Sequence, residues 1–133
     1  MFTKDKLDAV LNELKIEGED YFYYFYVYQT PSKTDYLKYG LGAIATMDHL
    51  IVCFTNKRLI FLEMTMMGEF TGNAQGLELD VFESIKVKKG LIRTAIKLTP
   101  KDGSEDLTIK ANSFTFGFSS QKTNLQALSV MYG

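Results

Sequence analysis

Along the first twenty positions the apolar residues fall at helical spacing. Leu7, Val10, Leu11 and Leu14 stand at i, i+3, i+4 and i+7 and put four aliphatic side chains on one stripe. With Thr3 as N-cap and Gly18 as stop, the pattern predicts an amphipathic helix over about 3–17. Its stripe packs on the domain's own core or meets a partner.

The pattern then changes period. Tyr21 to Tyr28 reads Tyr-Phe-Tyr-Tyr-Phe-Tyr-Val-Tyr, a composition biased toward β structure. Strand alternation puts Tyr21, Tyr23, Phe25 and Val27 on one face and Phe22, Tyr24, Tyr26 and Tyr28 on the other. Both faces need cover, from the N-terminal helix, another sheet or a second subunit. Stacking on single-stranded nucleic acid needs interleaved basic residues, and none occurs between Tyr21 and Tyr28.

After the turn-rich stretch Gln29 to Asp35, strand-like runs are predicted at about 37–47, 49–55, 58–64, 77–81, 83–89, 92–99 and 105–111. Asp48, Asn56-Lys57, Gly72-Asn73, Lys89-Gly90 and Pro100 to Gly103 supply the turns between them. Such short spacings favour antiparallel hairpins, because parallel pairing needs a long crossover. Ser119 or Ser120 can cap a closing helix over about 119–132, in which Leu125, Leu128 and Met131 or Tyr132 repeat at helical spacing.

Composition narrows the class. The 133 residues fit one domain, and a content of 46% hydrophobic and 23% charged residues is that of a soluble globule rather than a disordered chain. The formal charge of -1 removes any global attraction for nucleic acid, so an anion site must be a local patch. The lone Cys53 cannot form an internal disulfide. The start is charged and its apolar stretch is broken by Asp8, Asn12 and Glu13, unlike a secretory leader, and no run approaches the ~18 apolar residues of a membrane span. These features predict a cytoplasmic protein.

Candidate chemistry is sparse. His49 and Cys53 share a strand face but lie roughly 13 Å apart at ~3.3 Å per residue, too far to hold one ion without a bend. Cys53, between Val52 and Phe54, reads as a small core residue. Met64, Met66 and Met67 could suggest a soft-metal thioether site, but such a cluster is more often adaptable apolar packing on a hairpin. Gly40 to Ala45 spells a loose dinucleotide loop, yet that loop must open a helix whose N-terminus faces the pyrophosphate, whereas here Leu50 to Phe54 soon follows as a strand. Glu78, Asp80 and Glu83 could do acid–base work but sit where charges are normally solvated. No cofactor or metal is expected.

The distinctive charge pattern is basic. A Lys89-Gly90 turn would face Ile85, Val87, Ile92, Thr94, Ile96 and Leu98 inward and Lys86, Lys88, Arg93 and Lys97 outward. The register implied by a two-residue turn sets Lys86 opposite Arg93. A four-residue loop at 100–103 then sets Arg93 opposite Lys110 and Lys97 opposite Asp106. Like charges directly opposed are mildly unfavourable, and an anionic partner would relieve them.

Two landmarks carry a resemblance. Thr55-Asn56-Lys57-Arg58-Leu59-Ile60-Phe61 resembles the hairpin signature of bacterial PH-like domains, and Ile85-Lys86-Val87-Lys88-Lys89-Gly90-Leu91 resembles the same family's later strand ending in Gly-Leu. The best-matching part is about 44–111, most similar to the YokE-like group and more loosely to GRAM domains. The resemblance implies two roughly orthogonal antiparallel sheets capped by a C-terminal helix. It also implies that Asn56 and Lys57 form the hairpin turn and that Arg58 orients or pairs locally. It speaks against an enzyme. Phosphoinositide-binding relatives resemble one another in a Lys and Arg motif near the first hairpin loop, where this chain offers only Lys33 and Lys38.

The expectation is therefore a mainly β, PH-like sandwich or barrel of about seven antiparallel strands over 20–111, with an extra N-terminal helix and a capping C-terminal helix, in one domain over 1–133. Its expected role is a non-catalytic interaction module mediating protein contacts or homo-oligomer assembly through Tyr24, Tyr26, Tyr28, Met66, Met67 and Phe70. The alternative is peripheral binding of anionic membrane lipid at the inner membrane face through Lys86, Lys88, Arg93 and Lys110. Nucleic acid is not an expected partner.

Overall fold

Thr3 caps the first helix as its sequence predicts, its hydroxyl accepting the Lys6 amide at 3.2 Å. In the computed structural model, which describes residues 2–29, 40–115 and 117–133, helix α1 spans Lys4–Leu14 and stops short of residue 17. Lys15 is already extended, and Gly18 takes φ +76° in the turn that leads into the first strand, a conformation that favours glycine.

Strands β1 (Tyr21–Tyr28), β2 (His49–Thr55), β3 (Arg58–Met64) and β4 (Phe70–Glu78) form one antiparallel sheet in that order. Strands β5 (Phe82–Lys89), β6 (Arg93–Pro100) and β7 (Leu107–Asn112) form a second. The main core lies between them: Phe25, Val52, Phe54 and Phe61 of the first sheet meet Val87, Ile96, Leu98 and Ile109 of the second, and Leu125 and Leu128 of helix α3 (Gln121–Tyr132) close it. The other face of the first sheet carries Ile51, Cys53, Ile60, Leu62 and Met64, and Leu7 and Leu11 of α1 bury it. The four-residue apolar period at the N-terminus is thus explained by packing on the domain's own sheet.

The aromatic strand departs from simple alternation. A bulge between Tyr21 and Tyr23 leaves Phe22 unpaired and turns Tyr21 to the α1 side, where its hydroxyl donates to the Leu11 carbonyl. Tyr21, Tyr24 and Tyr26 therefore pack around the α1 cluster, while Tyr23, Phe25 and Val27 serve the inter-sheet core.

Three expected elements are corrected. Within the stretch read as a strand over 37–47, residues 40–45 are helix α2 (Gly40–Ala45), because Leu41, Ile44 and Ala45 recur at helical spacing and are all buried; positions 37–39 lie outside the described residues, as do Lys33 and Lys38. A short helix does stand at the dinucleotide spelling, and the expected strand over Leu50 to Phe54 follows it within β2. A six-residue helix leading into an antiparallel strand is still not a parallel βαβ unit. Gly72-Asn73 is no turn: it lies inside β4, where residues 71–73 are accommodated between the Leu62–Ala74 and Met64–Phe70 pairs, and Gly72 takes φ +90°. The hairpin turn instead runs from Thr65 to Glu69, closed by Thr65 N–H donating to the Glu69 carbonyl at 2.8 Å. The run expected as a strand at 77–81 divides between the end of β4 and a 3-10 turn at Leu79–Val81.

Strand β1 is an edge, and α3 covers it. Gln121, almost fully buried, accepts the Tyr26 amide at 2.8 Å and donates to the Tyr26 carbonyl at 2.9 Å and the Asn112 carbonyl at 3.0 Å. Asn124 donates to the Tyr24 carbonyl at 2.9 Å. Side-chain amides thus take the place of a neighbouring strand and join β1 to the end of β7.

Candidate functional site

The outward face of the β5–β7 sheet gathers the basic residues. Lys86, Lys88, Arg93, Lys97 and Lys110 are all exposed there, five of the chain's fifteen Lys and Arg. The register differs from the one a two-residue turn would give. Lys86 pairs with Lys97, Lys88 with Ala95, Ala95 in turn with Lys110, and Arg93 with Asn112. The physical reason is the longer β5–β6 connection: Lys89 pairs with Thr94, so the turn is wider, and the pairing slips by an even number of residues that keeps every lysine on the same face. None of the paired outward positions carries a carboxylate. Asp106, from the β6–β7 loop, reaches Lys97 at 3.3 Å. Among the described residues Lys86, Lys88, Arg93 and Lys110 have no carboxylate partner.

The turn beside this face holds what the sequence reading missed. Ile92, expected to face inward, is 77% exposed, Leu91 is 95% exposed and Phe114 is 70% exposed. Ile92 belongs to the turn rather than to β6, so strand alternation does not govern it. A run of apolar letters next to a Lys-Gly turn carried no signal separating strand start from turn apex.

The Thr55–Arg58 hairpin is a structural clasp. The Thr55 hydroxyl accepts the Lys57 and Arg58 amides at 3.0 and 2.9 Å and meets the Glu19 carboxylate at 2.8 Å. Asn56 accepts the Asp20 amide and donates to the Gly18 carbonyl, each at 2.9 Å, and Lys57 donates to the Glu17 carbonyl at 2.8 Å. Arg58 grips Glu19 through Nε and Nη2 and also donates to the Leu14 carbonyl. Burial pushes the Glu19 carboxyl upward, but hydrogen bonds from Arg58 and Thr55 more than offset this and hold it below the ordinary carboxylate range. The same pair raises the Arg58 pKa. These groups tie the α1–β1 connection to the first sheet and leave no free donor set for a ligand.

The aromatic and methionine residues separate. Tyr24, Tyr26 and Phe70 are half-buried, with Phe2 6.2 Å from Tyr24 and 6.4 Å from Phe70 between ring centroids and Phe118 stacked on Tyr26 at 4.9 Å. Tyr28, Met66 and Met67 remain exposed, at 66%, 82% and 77%. Register aligns Tyr28, His49 and Met64 across β1, β2 and β3, so the Thr65–Glu69 turn lies at the same end of the sheet as Tyr28. Met64 is buried against α1 and does not join Met66 and Met67 in a thioether set.

Catalytic groupings are not assembled among the described residues. His49 bonds the Tyr26 hydroxyl through Nδ1 at 2.5 Å and lies 4.6 Å from the Tyr28 ring. Burial pushes the Cys53 thiol up to about 12. A pocket of about 220 Å³ between α1 and the β1 edge is bordered by Lys4 and Asp8, which pair with each other at 3.1 Å. Glu78, Asp80 and Glu83 are exposed, and no group of three His, Cys, Asp or Glu among the described residues is placed to hold a metal. No helix among them is long and apolar enough to cross a membrane.

The comparisons agree with this architecture. The structure of a protein with a pleckstrin-homology domain from Shewanella loihica matches with a TM-score of 0.50 at 16% identity, covering 97% of this chain and 99% of that one. A pleckstrin-homology domain from Shewanella amazonensis gives a TM-score of 0.49 at 16% identity over 96% and 95%. The hSac2 domain of the human phosphoinositide phosphatase Sac2 gives 0.54 at 14% identity, over 96% of this chain and 77% of that one. No curated protein matches the chain. The family model described as bacterial PH domain matches residues 17–126, from the clasped α1–β1 connection into α3, and the chain therefore belongs to the bacterial PH domain family.

Proposed function

We propose that this binding module docks peripherally on anionic membrane lipid through the outward face of its β5–β7 sheet. The observation that supports the reading most is the charge arrangement: four exposed cations without carboxylate partners among the described residues, Lys86, Lys88, Arg93 and Lys110, on a face whose paired positions carry no acid. Lys86 directly opposes Lys97, a like-charge pairing that costs a few tenths of a kcal/mol up to about 1 and that an anionic surface would relieve. Each basic residue near an anionic bilayer contributes about 1 kcal/mol, so four give roughly 4 kcal/mol and an affinity of about 1 mM. Charge alone makes a weak, salt-sensitive contact.

Co-sedimentation with vesicles of phosphatidylcholine alone and with added phosphatidylglycerol tests the proposal. Binding should require the anionic lipid, weaken with salt, and be lost in the Lys86→Glu, Arg93→Glu double variant. Equal binding of wild type and variant would refute it.

A second reading rests on Tyr28, Met66 and Met67, apolar or aromatic side chains exposed at the same end of the first sheet, where they could meet a second copy of the chain. Light scattering tests it. A concentration-independent monomer mass would exclude assembly through that end.

A further inference from the structure

Charge on the sheet face does not account for the apolar residues beside it. Leu91 and Ile92 form the apex of the β5–β6 turn, flanked in sequence by Lys88, Lys89 and Arg93. Phe114 joins them because Ser113 N–H donates to the Ile92 carbonyl at 2.8 Å, fixing the chain after β7 against the turn. Three large apolar side chains thus stand 95%, 77% and 70% exposed at one end of the sheet that carries the cations.

This apex is held in shape. The Ser113 hydroxyl donates to the Gly90 carbonyl at 2.7 Å and lies 2.9 Å from the Thr94 hydroxyl, and both Ser113 and Thr94 are buried. A Cβ at Gly90 would stand 2.2 Å from the Arg93 carbonyl oxygen, so this close backbone approach requires glycine at that position. A buried hydroxyl pair and a close backbone approach therefore present Leu91 and Ile92 to solvent instead of letting the turn fold onto the core.

Resting on the docking proposed above, we infer that the Leu91–Ile92 turn, with Phe114 beside it, is a preformed wedge that enters the acyl region of an anionic bilayer while Lys88, Arg93 and Lys110 stay at the headgroups. The placement of apolar side chains at the end of a sheet whose outward face carries the cations matches the order of layers in such a membrane: charge at the surface, hydrocarbon beneath. A soluble polyanion would use the cations and leave the apolar apex wet. Transferring one such aliphatic side chain from water to hydrocarbon raises affinity by about tenfold or more, which lifts the contact above what charge provides.

The chain has no tryptophan, so a Leu91→Trp variant of the full chain carries a single reporter. With vesicles of phosphatidylcholine and phosphatidylglycerol its emission should shift to the blue, and brominated acyl chains should quench it. Pure phosphatidylcholine should produce neither effect. An Ile92→Asp variant, altered at an exposed turn and checked for an unchanged melting temperature, should bind anionic vesicles about tenfold more weakly. If Leu91→Trp sediments with anionic vesicles but keeps its emission in buffer and is not quenched, insertion is wrong and sheet-face docking stands. If neither wild type nor variant sediments, both fall. If Ile92→Asp lowers oligomer mass and leaves vesicle binding unchanged, the apex is a protein contact and insertion is overturned.

Discussion

Glu19 and Arg58 meet side-on across 39 residues of chain, Oε2 to Nε at 2.8 Å and Oε1 to Nη2 at 2.9 Å, with the carboxylate wholly inaccessible to solvent. The Thr55 hydroxyl completes the cradle. The Arg58 guanidinium lies over Gly76, where a Cβ would come within 2.9 Å of Nη1. A two-pronged pair so enclosed has little water to fall back on, and loss of either member strands the other.

Glu19→Ala and Arg58→Ala should therefore each destabilise the fold by about 3–5 kcal/mol, far more than an exposed pair such as Lys4–Asp8, worth at most about 1 kcal/mol. Urea unfolding midpoints measure the difference. A loss near that of Lys4→Ala would mean the clasp contributes little.

Acid should act through the same carboxylate. Its pKa in the folded state lies below the ordinary value of 4.5, so its contribution is complete above that value and disappears as pH falls through the depressed folded pKa. As pH falls below about 5, wild type should lose stability more steeply than Glu19→Gln, which has no proton to take up there. Parallel curves for the two proteins would remove Glu19 as the source.

Gln121 acts on the sheet edge. Its one amide serves Tyr26 N–H, Tyr26 C=O and Asn112 C=O, so Gln121→Ala leaves three partly buried backbone groups to find other partners. The expected cost is about 2–4 kcal/mol, with faster hydrogen exchange concentrated at the Tyr26 amide. Gln121→Glu, which keeps the acceptor and removes both donors, should restore protection at Tyr26 only in part. Uniformly faster exchange across the molecule, with no excess at Tyr26, would contradict the edge-capping role.

The contrast between Gln121 and α1 shows what the letters could convey. Leu7 and Leu11 announce a buried helix face because burial there follows a local period, and the Thr55–Arg58 turn announces itself through residues adjacent in sequence. Two antiparallel sheets and a closing helix follow from such local signals. Glu19 and Gln121 have no local signal: one reaches 39 residues to Arg58 and the other 95 to Tyr26. The basic face was legible as a set of residues because alternation fixes which side each takes, while its neighbours were not, because turn length sets register. The same ambiguity hid Ile92, whose exposure depends on whether residue 92 lies in the turn or in the strand.

Cys53 stands at the centre of the α1-covered face, 1% exposed, with its thiol pushed up to about 12 by burial. The thiolate is the reactive form, so native protein at pH 8 should scarcely react with a water-soluble disulfide reagent, and full reaction should appear only on unfolding. The rate then reports opening of α1 from the sheet. Rapid labelling of native protein at one equivalent would show that α1 does not cover Cys53 in solution.

Asp106 offers a gain of binding to set against the losses. Its carboxylate reaches the basic face, 3.3 Å from Lys97, and both side chains are partly exposed, so the pair itself contributes no more than about 1 kcal/mol to stability. Asp106→Asn removes one negative charge from the docking surface and releases Lys97 toward an anionic bilayer. With about 1 kcal/mol for each basic residue near such a surface, affinity for phosphatidylglycerol-containing vesicles should rise about fivefold at low salt, with a steeper salt dependence than wild type. Neutral vesicles should show no change. Unaltered binding to anionic vesicles would place the docking surface away from Lys97, and with it the Lys86–Lys97 row on which the charge argument depends.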